Sequence, residues 1–418
     1  MTSHNVERRL GSLVALAGIG LMMTCGVDVA RGDWTAVSLL PPGRTECRAH
    51  AASGGDQFGW VRVGLPHASL WNGSAGTWVD INPSGQVTST VYGAAGGQQV
   101  GFSRTNTSGL RAALWTGSSA SYVNLNPTGA NSEANATDGT QQVGYVVVSG
   151  ANHAALWSGS STGWVDLNPT GSTLSNAYCI ADGQQGGIAR VANLTRASVW
   201  SGTAASWVDL SPPNSTLSAV NAISNGQQGG FAIVGNQHAT LWSGSAASMV
   251  DLHPATNGPT SAVLAMKNGM QVGYAYVDGL SRAAFWQGTA ASWVNLNAYL
   301  PTNYSSAQAT AISVVGDTIY VTGYARNSTS NLDEAILWTS QVEPPVVCND
   351  VDFNNDGSFF DPQDIDALLS VYAEGNCIPE AAVCDDIDFN NDTSIFDPCD
   401  IDSFLLVFSE GPCTPCGQ

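Results

Sequence analysis

Twelve of the thirteen tryptophans in this 418-residue chain fall into two registers that recur along it. One column runs Trp71, Trp115, Trp157, Trp200, Trp242, Trp286, Trp338, at spacings of 44, 42, 43, 42, 44 and 52 residues. The second runs Trp34, Trp78, Tyr122, Trp164, Trp207, Met249, Trp293. A chain built this way folds as an array of like units, each burying its apolar face against a neighbour.

Every unit reads alike. A short strand such as Trp164-Val165-Asp166-Leu167 is closed by Asn168-Pro169. A Ser/Asn/Ala stretch follows, as in Ser218 to Ile223. Next come a turn and strand, Asp138 to Tyr145, and a further strand, His153-Ala154-Ala155-Leu156-Trp157. Four short strands in a period near 43 residues, with 46 glycines to make turns, is the pattern of a propeller blade. A β-helix needs a shorter coil, and a helical repeat needs a 3.6-residue period that is absent. The expected fold over residues 33–340 is therefore all-β, a seven-bladed β-propeller of four-stranded blades. The lone strand Trp34 to Leu39 is expected to complete the last blade, whose own fourth strand is missing after Trp338. That closure removes exposed sheet edges.

Three strands of the form His67-Ala68-Ser69-Leu70-Trp71, His153 to Trp157 and His238-Ala239-Thr240-Leu241-Trp242 resemble the HAF repeats of bacterial extracellular proteins. Phe is absent from the third position, and His gives way to Arg111, Arg196, Arg282 and Glu334 in other units. The resemblance implies an exported repeat protein and no particular activity.

The first residues agree with export. Arg8 and Arg9 precede an apolar run from Leu10 to Met23, and Ala30-Arg31-Gly32 offers small residues for cleavage, so 1–32 reads as a signal peptide. A lipoprotein at Cys25 is the alternative, but Met22-Met23-Thr24 matches that pattern poorly. Plain secretion to the extracellular space or cell surface is expected, with no transmembrane segment later in the chain. Charged residues make up 11% of the chain and Lys267 is the single lysine, so no basic patch exists to bind nucleic acid.

Charge is concentrated at the other end. Residues 343–418 hold 17 acidic residues and no Lys or Arg, beyond a stiff Pro-rich linker read at 341–347. The segment from Cys348 repeats itself at a spacing of 36. Asp-x-Asn-x-Asp sets hard oxygens on alternate residues of a loop, a spacing suited to calcium. Read by the roles of an EF-hand loop, one ligand set is Asp352, Asn354, Asp356, the carbonyl of Ser358, and Asp364. The other is Asp388, Asn390, Asp392, the carbonyl of Ser394, and Asp400. Pro362 would stand first in the exiting helix, after Asp361 as its N-cap.

Paired loop-helix units of this kind resemble dockerin modules, and more narrowly the cysteine-flanked dockerin-type tails of planctomycete exported proteins. The resemblance covers about residues 348–413 of the chain. It implies a small α-helical domain with paired EF-hand-like calcium loops at 348–418, docking to a cohesin-like or cell-surface protein. Each loop is one residue longer than the usual dockerin loop. Thr393 replaces the turn glycine found at Gly357, so the second site is expected to bind more weakly. Pairing Cys348 with Cys377 and Cys384 with Cys413 suits this plan, although six cysteines allow fifteen connectivities. Cys47 and Cys179 lie in different units and are expected unpaired.

Among the repeated polar residues, Asp80, Asn124, Asp166, Asp209, Asp251 and Asn295 are read as turn caps before proline, not as a channel lining. The His column is too dispersed for a metal site, and the tryptophan columns are read as wedges between blades. Trp60 stands outside both columns and is the candidate exposed contact for a carbohydrate ligand, and Arg62 and Arg190 are also off the repeat pattern. No catalytic motif appears. The expected function is a non-enzymatic binding or structural module attached through its calcium-dependent tail. The alternative is a tethered hydrolase or lyase of extracellular polysaccharide.

Overall fold

The computed structural model describes residues 34–255, 258–342, 362–372 and 403–404. Its strands gather into five four-stranded sheets and one of eight, in which two antiparallel sets of four are joined by a parallel bridge from Thr195 to Leu217. Counting those two sets separately, the sets are here sheets one to seven. Sheet one runs Cys47–Ser53, Asp56–Val63, Leu65–Asn72, Val79–Asp80, and spatial order follows chain order. Sheets two to six repeat it, starting at Thr88–Ala95, Ser132–Thr137, Ser172–Ala181, Leu217–Ser224 and Ser261–Lys267. Sheet seven holds Tyr304–Val315, Thr318–Asn327 and Asp333–Gln341, and its fourth place is taken by Thr35–Ser38 from the start of the chain. Thr35 lies opposite Thr339 and Ser38 opposite Ile336, so the expected N-terminal closure is present.

The first strand of each sheet touches that of the next, and the strand of sheet seven touches that of sheet one. The circuit is closed, as in a β-propeller. No sheet has a core of its own. Val100, Leu114 and Leu125 of sheet two pack on Ala134, Val146 and Trp157 of sheet three. The same pattern carries round to Ala335 and Leu337 of sheet seven against Val61 and Trp71 of sheet one. All seven tryptophans of the first column are fully buried in these seams. They are wedges, as expected, each contributing on the order of 4–6 kcal/mol through buried apolar area. The second column is mostly half-buried, with Trp78 and Trp207 donating to the hydroxyls of Ser69 and Ser198 at 3.0 and 2.8 Å.

The closing seam carries extra ties. Arg48 of sheet one reaches Asp333 of sheet seven, 2% exposed, and Arg326 donates to the same carboxylate at 2.8 Å. The Arg48 guanidinium lies 4.3 Å from the Tyr324 ring centre. Glu334, in the His position of the repeat, accepts from Tyr304 at 2.6 Å, Ser38 at 2.8 Å and Asn327 at 2.7 Å.

The last strand runs through Gln341, one residue into the stretch read as linker. In the tail, one helix spans Pro362–Tyr372, beginning at the proline as the sequence predicted, and Ser403 and Phe404 are helical. The expected signal peptide, the remainder of the linker and the six tail cysteines lie outside the described residues. Cys47 and Cys179 are unpaired and buried.

Each second strand carries one glycine facing the first strand: Gly59, Gly101, Gly144, Gly187, Gly230, Gly273, Gly323. A Cβ there would meet a backbone carbonyl oxygen at 1.9–2.0 Å, in Gly144 that of Glu133 at 1.9 Å. Backbone cannot swing aside, so these positions admit only glycine. Gly144→Ala is expected to cost at least about 1–3 kcal/mol by overpacking, whereas Gly76→Ala, where the added methyl meets open space, stays within about 0.5 kcal/mol. Chemical denaturation of the two variants measures the contrast, and equal midpoints would contradict it.

Candidate functional site

The crowding at those glycines has a cause on the facing strand. In every sheet the register of the first pair slips by one residue at the same place, for example between Ala49 and Ala51 and between Ala134 and Ala136. The same slip recurs in the other five sheets. Each is a β-bulge, which leaves one residue out of the ladder and re-aims its side chain. The bulged residues are His50, Tyr92, Asn135, Tyr178, Asn221, Leu264 and Thr310. All seven are half-buried and line one cavity of about 200 Å³ on the ring axis.

A second axial cavity of about 420 Å³ adjoins it, and the two share Ala52, Ala94, Thr137, Ile180, Ile223 and Met266 as a largely apolar neck. Beyond the neck lie the first turns of the sheets, with Asp138, Asp182, Asn225 and Lys267. The passage therefore has a polar-aromatic end at the bulges and a turn-lined end bearing the chain's one lysine.

Three bulged residues brace the ring. Asn135 Nδ2 donates to the Ala177 carbonyl at 2.8 Å, Asn221 Nδ2 to Val263 at 2.8 Å, and Thr310 Oγ1 to Ala49 at 2.9 Å. Each acceptor immediately precedes the bulged residue of the next sheet. The remaining four, His50, Tyr92, Tyr178 and Leu264, make no such tie. His50 and Tyr92 meet edge to face at 5.6 Å, and Tyr92 lies 5.8 Å from Phe102. Phe102 belongs to a column following the glycines, with Trp60, Tyr145, Ile188, Phe231, Tyr274 and Tyr324, all half-buried.

The ionisable groups of this sector are held neutral or paired. Burial, aided by the Arg48 charge, lowers the His50 imidazole to about 4. Burial raises the Tyr92 hydroxyl, with Glu133 and Tyr145 adding to the effect. Glu133 is raised by burial against an opposing hydrogen bond from Tyr145. Cys179, beside Tyr178 in the lining, is raised by burial and is a poor nucleophile.

Sequence reasoning missed this ring. The bulged position carries five residue types over seven units, so it gives little repeat signal, and its main mark is small or branched neighbours on either side. Trp60, Arg62 and Arg190 are not outside the repeat after all. Trp60 shares the Phe102 column, and Arg62 and Arg190 share theirs with Arg104 and Arg326, three residues after each glycine. Arg62 is held by Glu46 at 2.6 Å. The repeated Asp/Asn residues cap turns on the outermost strands: Asp80 Oδ1 accepts from Asn82 N at 2.8 Å and Asp166 Oδ1 from Asn168 N at 2.8 Å. His67, His153 and His238 pair with Asp80, Asp166 and Asp251 at 2.7–2.8 Å, one pair per sheet and far from the axis cavities.

Of the ten residues assigned to calcium, Asp364 alone falls among the described ones. It is buried in the first turn of the Pro362–Tyr372 helix. Asp352, Asn354, Asp356, Ser358, Asp388, Asn390, Asp392, Ser394 and Asp400 lie outside the described residues. Among the described residues no three His, Cys, Asp or Glu side chains cluster as a metal site, and no helix is long and apolar enough to cross a membrane.

No protein-family model matches the chain, and no curated protein matches its sequence. Solved structures match in fold. The β-propeller domain of the Trilobed protease from Pyrococcus furiosus is 8% identical at a TM-score of 0.50, covering 72% of this chain and 99% of that one. Puromycin hydrolase, 11% identical at 0.49, covers 72% of this chain, which spans 56% of its length. Oligogalacturonate lyase in complex with manganese, 7% identical at 0.45, covers 75% and 98%. At such identities the likeness is one of fold, and it makes this a β-propeller protein.

His50 supplies a test of the site. Its folded pKa lies below the unfolded value near 6.5, so between about 4 and 6.5 the unfolded chain binds more protons. The His50 contribution to stability is therefore full above that window and falls as pH drops through it. In a histidine NMR titration its midpoint is expected at about 4, and a midpoint near 6.5 would place the ring in open water.

Proposed function

We propose that the chain is an exported, non-enzymatic binding module. In this reading a seven-bladed propeller of the HAF-repeat kind presents its axial bulge ring to a ligand, and a dockerin-like calcium tail attaches it to a protein partner or the cell surface. One observation carries the binding role. In a repeat whose wedges, glycines and turn caps recur from unit to unit, the seven side chains turned to the axis are of five kinds, and four of them, His50, Tyr92, Tyr178 and Leu264, make no bracing bond to a neighbouring sheet. Uniform positions serve the scaffold; mixed side chains around a cavity, not spent on bracing, suit recognition.

The secreted location rests on the Leu10–Met23 apolar run, and the attachment on the duplicated acidic loops. Calcium would be held by the two Asp-x-Asn-x-Asp sets and the acids entering each helix, Asp364 and Asp400. The buried Asp364 at a helix start suits that role. Bound there, calcium would supply folding energy to a segment otherwise crowded with like charge.

A hydrolase or lyase is the second reading, and the convergence of His50, Tyr92, Glu133 and Tyr145 in one sector favours it. Against it, an imidazole lowered to about 4 is a weak general base at neutral pH, and the Tyr92 hydroxyl is raised rather than poised. Binding is preferred.

Pull-down by the full chain with calcium and with chelator tests the attachment. Partner capture is expected to vanish in chelator while the β-sheet circular dichroism stays unchanged, and capture indifferent to calcium would overturn the tail's role. Within the tail, Thr393→Gly is expected to tighten the weaker calcium site, read by calorimetry, because the turn there favours glycine. Release of reducing ends from polysaccharide by the purified chain would replace the binding reading with the enzymatic one.

A further inference from the structure

We propose that the polar-aromatic end of the axial passage is a subsite for a neutral saccharide, centred on Tyr92 between His50 and Phe102. The inference rests on the binding-module reading and names its ligand class. Three features carry it.

The first is the aromatic arc. His50, Tyr92 and Phe102 are all half-buried and tilted to one another by 66° and 42°, so they offer faces and edges at different angles around one corner of the cavity. Of the three, His50 and Tyr92 line the cavity and Phe102 backs Tyr92 from behind it. Aromatic faces carry partial negative charge and take the C–H-rich faces of sugar rings, whereas a flat base would call for parallel platforms.

The second is hydrogen-bonding capacity without net charge. Asn135 commits Nδ2 to the neighbouring sheet and keeps Oδ1 as an acceptor. The Tyr92 hydroxyl and the His50 imidazole each offer a donor or acceptor suited to ligand hydroxyls.

The third is the state of the charges. The Arg48 guanidinium nearest this sector is consumed by Asp333, and Glu133 is engaged by Tyr145. No Lys, Arg, Asp or Glu lines this cavity, so an anionic sugar would find no cation in it. Lys267 lies in the other cavity, past the apolar neck. Desolvating a uronate here would go uncompensated, while a neutral hexose or pentose ring loses no ionic hydration.

Calorimetry of the full chain against neutral gluco-, manno- and xylo-oligosaccharides and against oligogalacturonates of the same length tests this. At least one neutral series is expected to bind and the uronates are not. Tyr92→Ala should weaken binding about tenfold, while Tyr92→Phe, which keeps the ring, holds it within about threefold. Met249→Ala, exposed on the outer edge, should change nothing, and unaltered circular dichroism of each variant excludes misfolding. Equal or tighter uronate binding overturns the neutral class. Neutral binding untouched by Tyr92→Ala overturns the location. No saccharide binding at all overturns the inference outright, and the calcium-dependent capture above then stands or falls by itself.

Discussion

Every apolar seam in the ring belongs to two sheets at once. A four-stranded sheet of this size cannot bury an indole by itself, and each first-column tryptophan finds its pocket only between its own sheet and the previous one. The consequence is global. An open array would leave one tryptophan and one apolar face in water, so the ring closes or loses a full seam. The strand Thr35–Ser38 and the Arg48–Asp333–Arg326 tie are the devices that secure the last seam, and the residues at that place depart from the repeat for this reason.

Bulge and glycine form one unit of local chemistry. The extra residue in the first strand pushes backbone toward the second strand, which answers with a residue lacking Cβ. The scaffold thereby gains seven side chains directed at the axis without interrupting the seams behind them. Binding and folding are partly separated: the glycines absorb the crowding, three ring side chains clasp neighbouring sheets, and the other four are left without that duty.

The sequence disclosed what repeats and concealed what does not. The wedges, the strand order and the N-terminal closure were legible, because Trp71 to Trp338 and the unpaired Trp34 strand recur in phase or conspicuously break phase. The caps at Asp80 and Asp166 were legible from their place before proline. The bulge ring was not, since His50, Leu264 and Thr310 break any single chemistry that the paired Tyr92 and Tyr178 or Asn135 and Asn221 might have shown. Trp60, Arg62 and Arg190 look out of phase when measured against the tryptophan columns. Alignment on Gly59, Gly101 and Gly144 puts all three in phase. Of the residues read as calcium ligands in the tail, only Asp364, buried at a helix start, lies among the described residues.

The braces at the axis are unevenly spread. Asn135 joins sheet three to four, Asn221 joins five to six, and Thr310 joins seven to one. Donor and acceptor are different atoms, so every sheet could both give and receive, and the number of clasps is set by which side chain sits at each bulge. Sheet two neither gives nor receives one at this level, and it is the sheet that bears Tyr92. The ring is therefore least tethered where its aromatic corner lies.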